Sequence, residues 1–177
     1  MKKRTDKQSG FTLIELVIAF GVSAIIIAAA SFSIFHLMNM TTRNTNYMTA
    51  VRNAQNAGYW ITRDTEMAYG TILPDGNPGI FTNLSEESGF PLELRRIDSD
   101  NLEGPTVLTI YTLVDGTLWR EYDGQSSIVA QHINANDTNV IYENGILEFT
   151  VVTKVTTKNI TGTEKRTYQA LPRSGLD

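Results

Sequence analysis

The chain has 177 residues, 41% of them apolar and none a cysteine. That suits one ordinary packed domain plus an extra element, and it excludes disulfides, a lipobox anchor, thiolate metal sites and a cysteine nucleophile. The net charge of −4 hides an asymmetry: residues 1–10 carry Lys2, Lys3, Arg4 and Lys7 against Asp6, and everything after Gly10 holds 11 basic and 18 acidic residues. An acidic body without a basic stripe argues against nucleic acid as a principal partner.

The first predicted element is an apolar helix. No Asp, Glu, Lys or Arg occurs from Leu16 to Thr42. Residues 16–38, LVIAFGVSAIIIAAASFSIFHLM, span about 35 Å as a helix, enough to cross a bilayer core. The basic head places the N-terminus in the cytoplasm and the remainder outside. Two other readings stay open. One is a buried helix in a soluble core. The other is an ordinary signal peptide cut after Ala30, where residues 28–31 read AAAS. The continuing apolar run FSIFHLM and the early Glu15 both resist the second.

Glu15 is the informative residue. A charged side chain at the centre of a membrane helix costs about 2.5–3.5 kcal/mol on insertion scales, so it calls for a partner. The next basic side chain is Arg43. A cut between Gly10 and Phe11 would create an α-ammonium group four residues before Glu15, on the same helix face. The bland alternative is a protonated or snorkelling glutamate at the interface.

The basic leader followed by GFTLIEL (10–16) resembles the prepilin signal of type IV pilins and type II secretion pseudopilins. The resemblance covers residues 1–40. It implies that a prepilin peptidase cuts after Gly10 and that the new N-terminal residue, Phe11, is N-methylated. It also implies that Glu15 is the assembly carboxylate, meeting the amine of a neighbouring subunit as the protein enters a helical fibre. The implied partners are the peptidase, other subunits through the N-terminal helix, and the inner membrane. No cofactor and no nucleic acid are implied.

Residues 39–46, NMTTRNTN, are weak helix formers and read as a flexible or partly melted join. Residues 46–69 resume a helical pattern, with Tyr47, Val51, Ala54, Gly58, Ile61, Thr65 and Ala68 recurring at three and four. Gly70 and Pro74 stop it. Major pilins commonly carry a proline in the membrane half of this helix; here Gly21 is the only backbone-loosening residue, which leans toward a minor pilin or pseudopilin. Residues 70–89 read as a long surface loop.

Strands follow at 91–97, 106–113, 117–122, 126–133, 139–142, 145–152 and 165–171, with Asp115-Gly116 and Asn144-Gly145 as hairpin turns. Helix first and strands afterwards predict an α+β fold, an antiparallel sheet packed on the helix. The expected organisation is a leader (1–10), an apolar helix (11–40) and an exported globular domain (41–177). The order and the segments ITRDTEMA (61–68) and GILEFTVV (145–152) resemble J-type pseudopilins and W-type minor pilins. A K-type tip subunit is disfavoured, since that class typically lacks the glutamate present here as Glu15.

Candidate chemistry elsewhere is sparse. His36 and His132 lack partners at ligand spacing, and no hydrolase, metalloprotease or nucleotide-binding motif is present. Glu86-Glu87 reads as loop charge. Asp98, Asp100 and Glu103 alternate loosely like a calcium loop, and Asp137 is weaker still; a solvated loop is the plainer reading. Trp119, Tyr122 and Tyr142 line either a contact surface or the sheet packing. The expected role is a non-catalytic fibre subunit. The alternative is a binding, adhesion or DNA-uptake subunit at a fibre tip.

Overall fold

The computed structural model describes residues 12–70, 78–83, 86, 88–97 and 106–173. The chain divides into two compact units between Thr41 and Thr42. The fold is α+β: a helix, α1 (Leu13–Met67), precedes eight strands. Its sequence supports an unbroken helix because no proline occurs in it. Three hydroxyls of its apolar part bond back to the turn before: Ser31 Oγ to Ile27 O at 2.9 Å, Ser33 Oγ to Ala29 O at 3.0 Å, and Thr41 Oγ1 to Leu37 O at 2.9 Å. These three hydroxyls are thereby satisfied within their own helix.

The expected join at 39–46 is helical instead. Weak intrinsic propensity is overridden there by tertiary contact: Asn46 is buried and donates from Nδ2 to Ile160 O at 2.7 Å, while Thr157 Oγ1 donates to Asn46 Oδ1 at 3.1 Å.

The single sheet expected from the sequence is two antiparallel sheets. One has the order β1 (Ile80–Asn83), β2 (Gly89–Ile97), β3 (Thr106–Val114), β4 (Thr117–Tyr122) and β5 (Gln125–Ala130); the other is β6 (Asn139–Glu143), β7 (Ile146–Thr157) and β8 (Ile160–Ala170). β1 lies inside the segment read as loop. The strand expected over 126–133 ends at Ala130, because His132 adopts φ 60° and turns the chain out of the ladder. β7 and β8 run several residues further toward each other than their sequences suggest. Their turn, Lys158-Asn159, has φ 48° and 65° without a glycine, so the usual Asx-Gly hairpin signal is missing.

The core of the Thr42–Asp177 unit lies between the helix and both sheets. Ala54, Ala57 and Ile61 meet Leu92, Leu94, Tyr111 and Leu118 from the first sheet and Leu147, Phe149 and Val151 from the second. The buried stripe is rotated slightly from the expected one. Asn46, Ala50 and Asp64 are inside, whereas Tyr47 is 47% exposed. Small residues let the strands come close. A Cβ on Gly162 would lie 2.5 Å from the Tyr47 backbone nitrogen. That contact is with backbone, which cannot swing aside. Gly162→Ala is therefore expected to cost about 1–3 kcal/mol through overpacking, read as a lowered urea midpoint with an unchanged slope.

Candidate functional site

The N-terminal end of α1 is built from a reciprocal cap. The Thr12 backbone N–H donates to Glu15 Oε2 at 2.9 Å, Thr12 Oγ1 donates to the same oxygen at 2.8 Å, and the Glu15 N–H donates to Thr12 Oγ1 at 3.4 Å. This is the threonine–glutamate capping box, in which each side chain satisfies a helix-start N–H of the other. The sequence carries it as Thr-x-x-Glu over 12–15, a local signal that a search for a basic partner of Glu15 passes over. Glu15 is exposed, with one carboxylate oxygen accepting two hydrogen bonds from Thr12.

From this cap to about Met40 the helix is apolar on every side. Leu13, Val17, Phe20, Ile25, Phe32 and Phe35 are each more than half exposed. Among the described residues, α1 is the one helix long and apolar enough to cross a membrane. A surface of this kind, with no polar face, is stable only against lipid or other apolar helices.

The second constellation fastens α1 to the sheets. Asp64 sits on the buried face. Arg120 donates to it from Nε at 2.6 Å and from Nη2 at 3.2 Å, and Tyr111 Oη donates at 2.5 Å. The Asp64 and Arg120 side chains are 3% and 14% exposed. Burial and the adjoining Asp64 charge push the Tyr111 hydroxyl well above the ordinary phenol range. Burial works against the Arg120 charge, but the Asp64 hydrogen bonds and charge outweigh it and hold the guanidinium protonated more firmly than usual. Nearer the start of the domain, Thr153 Oγ1 donates to Ala50 O at 2.9 Å and Tyr168 Oη to Ala54 O at 3.3 Å. The arrangement orients and holds; it presents no nucleophile paired with a base.

Of the residues singled out from sequence, Gly10, Phe11, Asp98, Asp100, Glu103 and Glu87 lie outside the described residues. Among the described residues no cluster of histidine and carboxylate ligands is placed to hold a metal ion. His36 and His132 are both exposed and far apart in the chain, and His132 is outside β5 rather than within a strand. Asp137 accepts a hydrogen bond from Asn134 at the end of a short 3-10 turn. Trp119 is 36% exposed on the outer face of β4. Tyr122 and Tyr142 are half-buried, and Tyr142 Oη donates to Gly70 O at 2.9 Å. These two tyrosines therefore serve packing.

Residues 5–31 match the family described as the prokaryotic N-terminal methylation motif. The match takes in the basic leader residue Lys7 with Gly10, Phe11 and Glu15, and it stops before the domain. No curated protein and no solved structure matches the chain significantly. The chain thus carries an N-terminal methylation signal of the kind that marks type IV pilins and pseudopilins. The signal heads an exposed apolar helix suited to membrane association, and a pilin-like α+β architecture follows it.

Proposed function

We propose that this chain is a structural subunit of a type IV pilus or a type II secretion pseudopilus. In this reading residues 1–10 are a leader removed by prepilin peptidase after Gly10. Phe11 becomes the methylated N-terminus, residues 11–40 span the inner membrane and later pack in the fibre, and residues 41–177 form the domain outside. One observation carries the reading: the methylation motif coincides with a carboxylate at the head of a helix whose N-terminal apolar part is wholly unburied. Glu15 then has a second role beyond the cap. In the low dielectric of the membrane it attracts the amine of a neighbouring subunit, which sets register, while apolar helix packing supplies most of the cohesion.

The absence of proline from the apolar half favours a minor pilin or pseudopilin over a major one, and the element order with the segments at 61–68 and 145–152 favours the J or W type. The function is not catalytic. The same signal serves a subunit placed at a fibre tip to bind another molecule, and copy number separates the two: a tip subunit is present at few copies per fibre.

The deciding experiment is the intact mass and N-terminal sequence of the membrane-extracted protein from cells with and without a prepilin peptidase. A peptidase-dependent start at methylated Phe11 is the expected result. A start at Ser31 would make residues 1–30 an ordinary signal peptide, and a start at Met1 in both cells would leave a simple anchor; either outcome overturns the proposal.

A further inference from the structure

Within the Thr42–Asp177 unit, β6 lies against β1 and β2, so the two sheets meet there. The outer edges are β5 and β8, and among the described residues neither pairs with a further strand. They flank α1 on opposite sides. On one flank Asn53 Oδ1 accepts from the Gln131 N–H at 2.8 Å, just past the end of β5. On the other, Tyr168 Oη of β8 donates to Ala54 O. Their senses differ. β8 starts beside Asn46 and reaches Ala54, so it runs with the helix. β5 passes Arg120, the partner of Asp64, before it ends beside Asn53, so it runs against the helix.

Both edges carry open backbone groups. Two-residue turns at Asp123-Gly124 and Lys158-Asn159 make Tyr122–Gln125 and Thr157–Ile160 the hydrogen-bonded closing pairs. Alternation from there points the N–H and C=O of Ser126 and Ile128 away from β4, and those of the odd-numbered residues from Thr161 to Gln169 away from β7. All of these residues are exposed.

We infer that β8 of one copy pairs with β5 of a second copy of this chain, extending the sheet from one domain to the next. The contact rests on the fibre reading only in that α1 anchors both copies in one membrane. Copies so anchored stand in the same sense, and β8 of one then meets β5 of the other antiparallel. A symmetric β8–β8 pair would set the two helices in opposite senses. The two edges also match in charge. Residues 158–170 carry Lys158, Lys165 and Arg166 against Glu164, whereas residues 121–131 carry Glu121 and Asp123 and no basic residue. Opposing Lys165 to Ser126 turns its ammonium toward Glu121, the neighbour of Ser126 on β4, and sets Thr163 against Ile128. The net negative charge of each body repels at a distance, but at physiological salt that repulsion decays over about 8 Å. A shared membrane raises the effective concentration, so a modest ladder suffices.

The test uses the full, uncleaved chain in membranes of cells without a prepilin peptidase, where all copies share one orientation. The chain has no cysteine of its own. Ser126→Cys with Lys165→Cys in one chain, oxidised with copper phenanthroline, is expected to give a series of disulfide-linked dimers, trimers and longer species. Directly opposed hydrogen-bonded residues have Cα atoms about 5.5 Å apart, within disulfide reach. Neither single variant, nor Ser126→Cys with Glu143→Cys at the exposed β6–β7 turn, should give the series. Adding Thr163→Pro removes an outward N–H and no bond to β7, so loss of the series at an unchanged thermal midpoint is expected. If that variant unfolds, Ile128→Pro on the other edge takes its place. No series, an equal one from the Glu143→Cys pair or a single variant, or one that survives a folded proline variant would overturn the inference, leaving Lys165 as a guard on an unused edge. The N-terminus is read separately by mass: a missing series strikes this contact, and a start at Ser31 strikes the fibre reading.

Discussion

Asp64→Ala is expected to destabilise the domain by about 3–5 kcal/mol, the cost of leaving one partner of a buried ion pair without the other. The substitution strands Arg120 at 14% exposure and removes the acceptor of the Tyr111 hydroxyl. For a domain whose total stability is about 5–15 kcal/mol, that is a large fraction. Denaturant unfolding of the detergent-solubilised protein would read it as a lowered midpoint. A second variant tests the cause. Replacing both members, Asp64→Leu with Arg120→Met, removes the stranded charge, so it should recover much of the lost stability. A double variant as unstable as Asp64→Ala would mean that the site contributes packing rather than charge pairing.

The other large effect concerns Glu15 and is functional. Glu15→Val is expected to leave the protein in the membrane and to reduce its incorporation into fibres by more than about tenfold. Truncating one partner of a desolvated charge pair typically costs about 2 kcal/mol or more, and about 1.4 kcal/mol is a factor of ten. The capping box allows a sharper version. Glutamine satisfies the same helix-start N–H as glutamate, so Glu15→Gln preserves the cap with Thr12 and removes only the charge. Failure of Glu15→Gln to assemble, with normal membrane content and helicity, assigns the effect to the carboxylate charge. Normal assembly of Glu15→Gln would reduce Glu15 to a helix cap and count against the pairing.

The parts of this protein written in short, regular patterns are legible in the amino-acid order itself. A charge-free apolar run and GFTLIEL are local, and so is the motif that matches residues 5–31. The hairpins at Asp115-Gly116 and Asn144-Gly145 are likewise visible, because a residue forced to positive φ leaves a compositional mark. What escapes is set by distant contacts. The turn at Lys158-Asn159 has the same left-handed backbone with no glycine to announce it. β1 is four residues long and held by pairing with β2. Asp64 belongs on the solvent face by residue type; only the approach of Arg120 and Tyr111, 56 and 47 residues later, makes burial tolerable. The division into two sheets is also beyond local pattern, since alternation tells a strand which face is inward and not which neighbour it takes.

The end of α1 has one more implication. Past Met67 the chain runs between two neighbours: the Tyr69 N–H donates to Arg95 O, Arg173 N–H donates to Ala68 O, and Gly70 N–H donates to Arg173 O. The clasp on the helix is therefore completed by a residue more than a hundred positions downstream. A polypeptide is synthesised from its N-terminus, so Arg173, which completes the clasp, is the last of the described residues to be made. A ribosome that stalls before Arg173 releases a product with its helix end unfastened on that side, lacking both hydrogen bonds that Arg173 supplies. Such a product offers proteases an opening that the finished chain denies them. The fold in this way carries its own check on whether translation has run to that point.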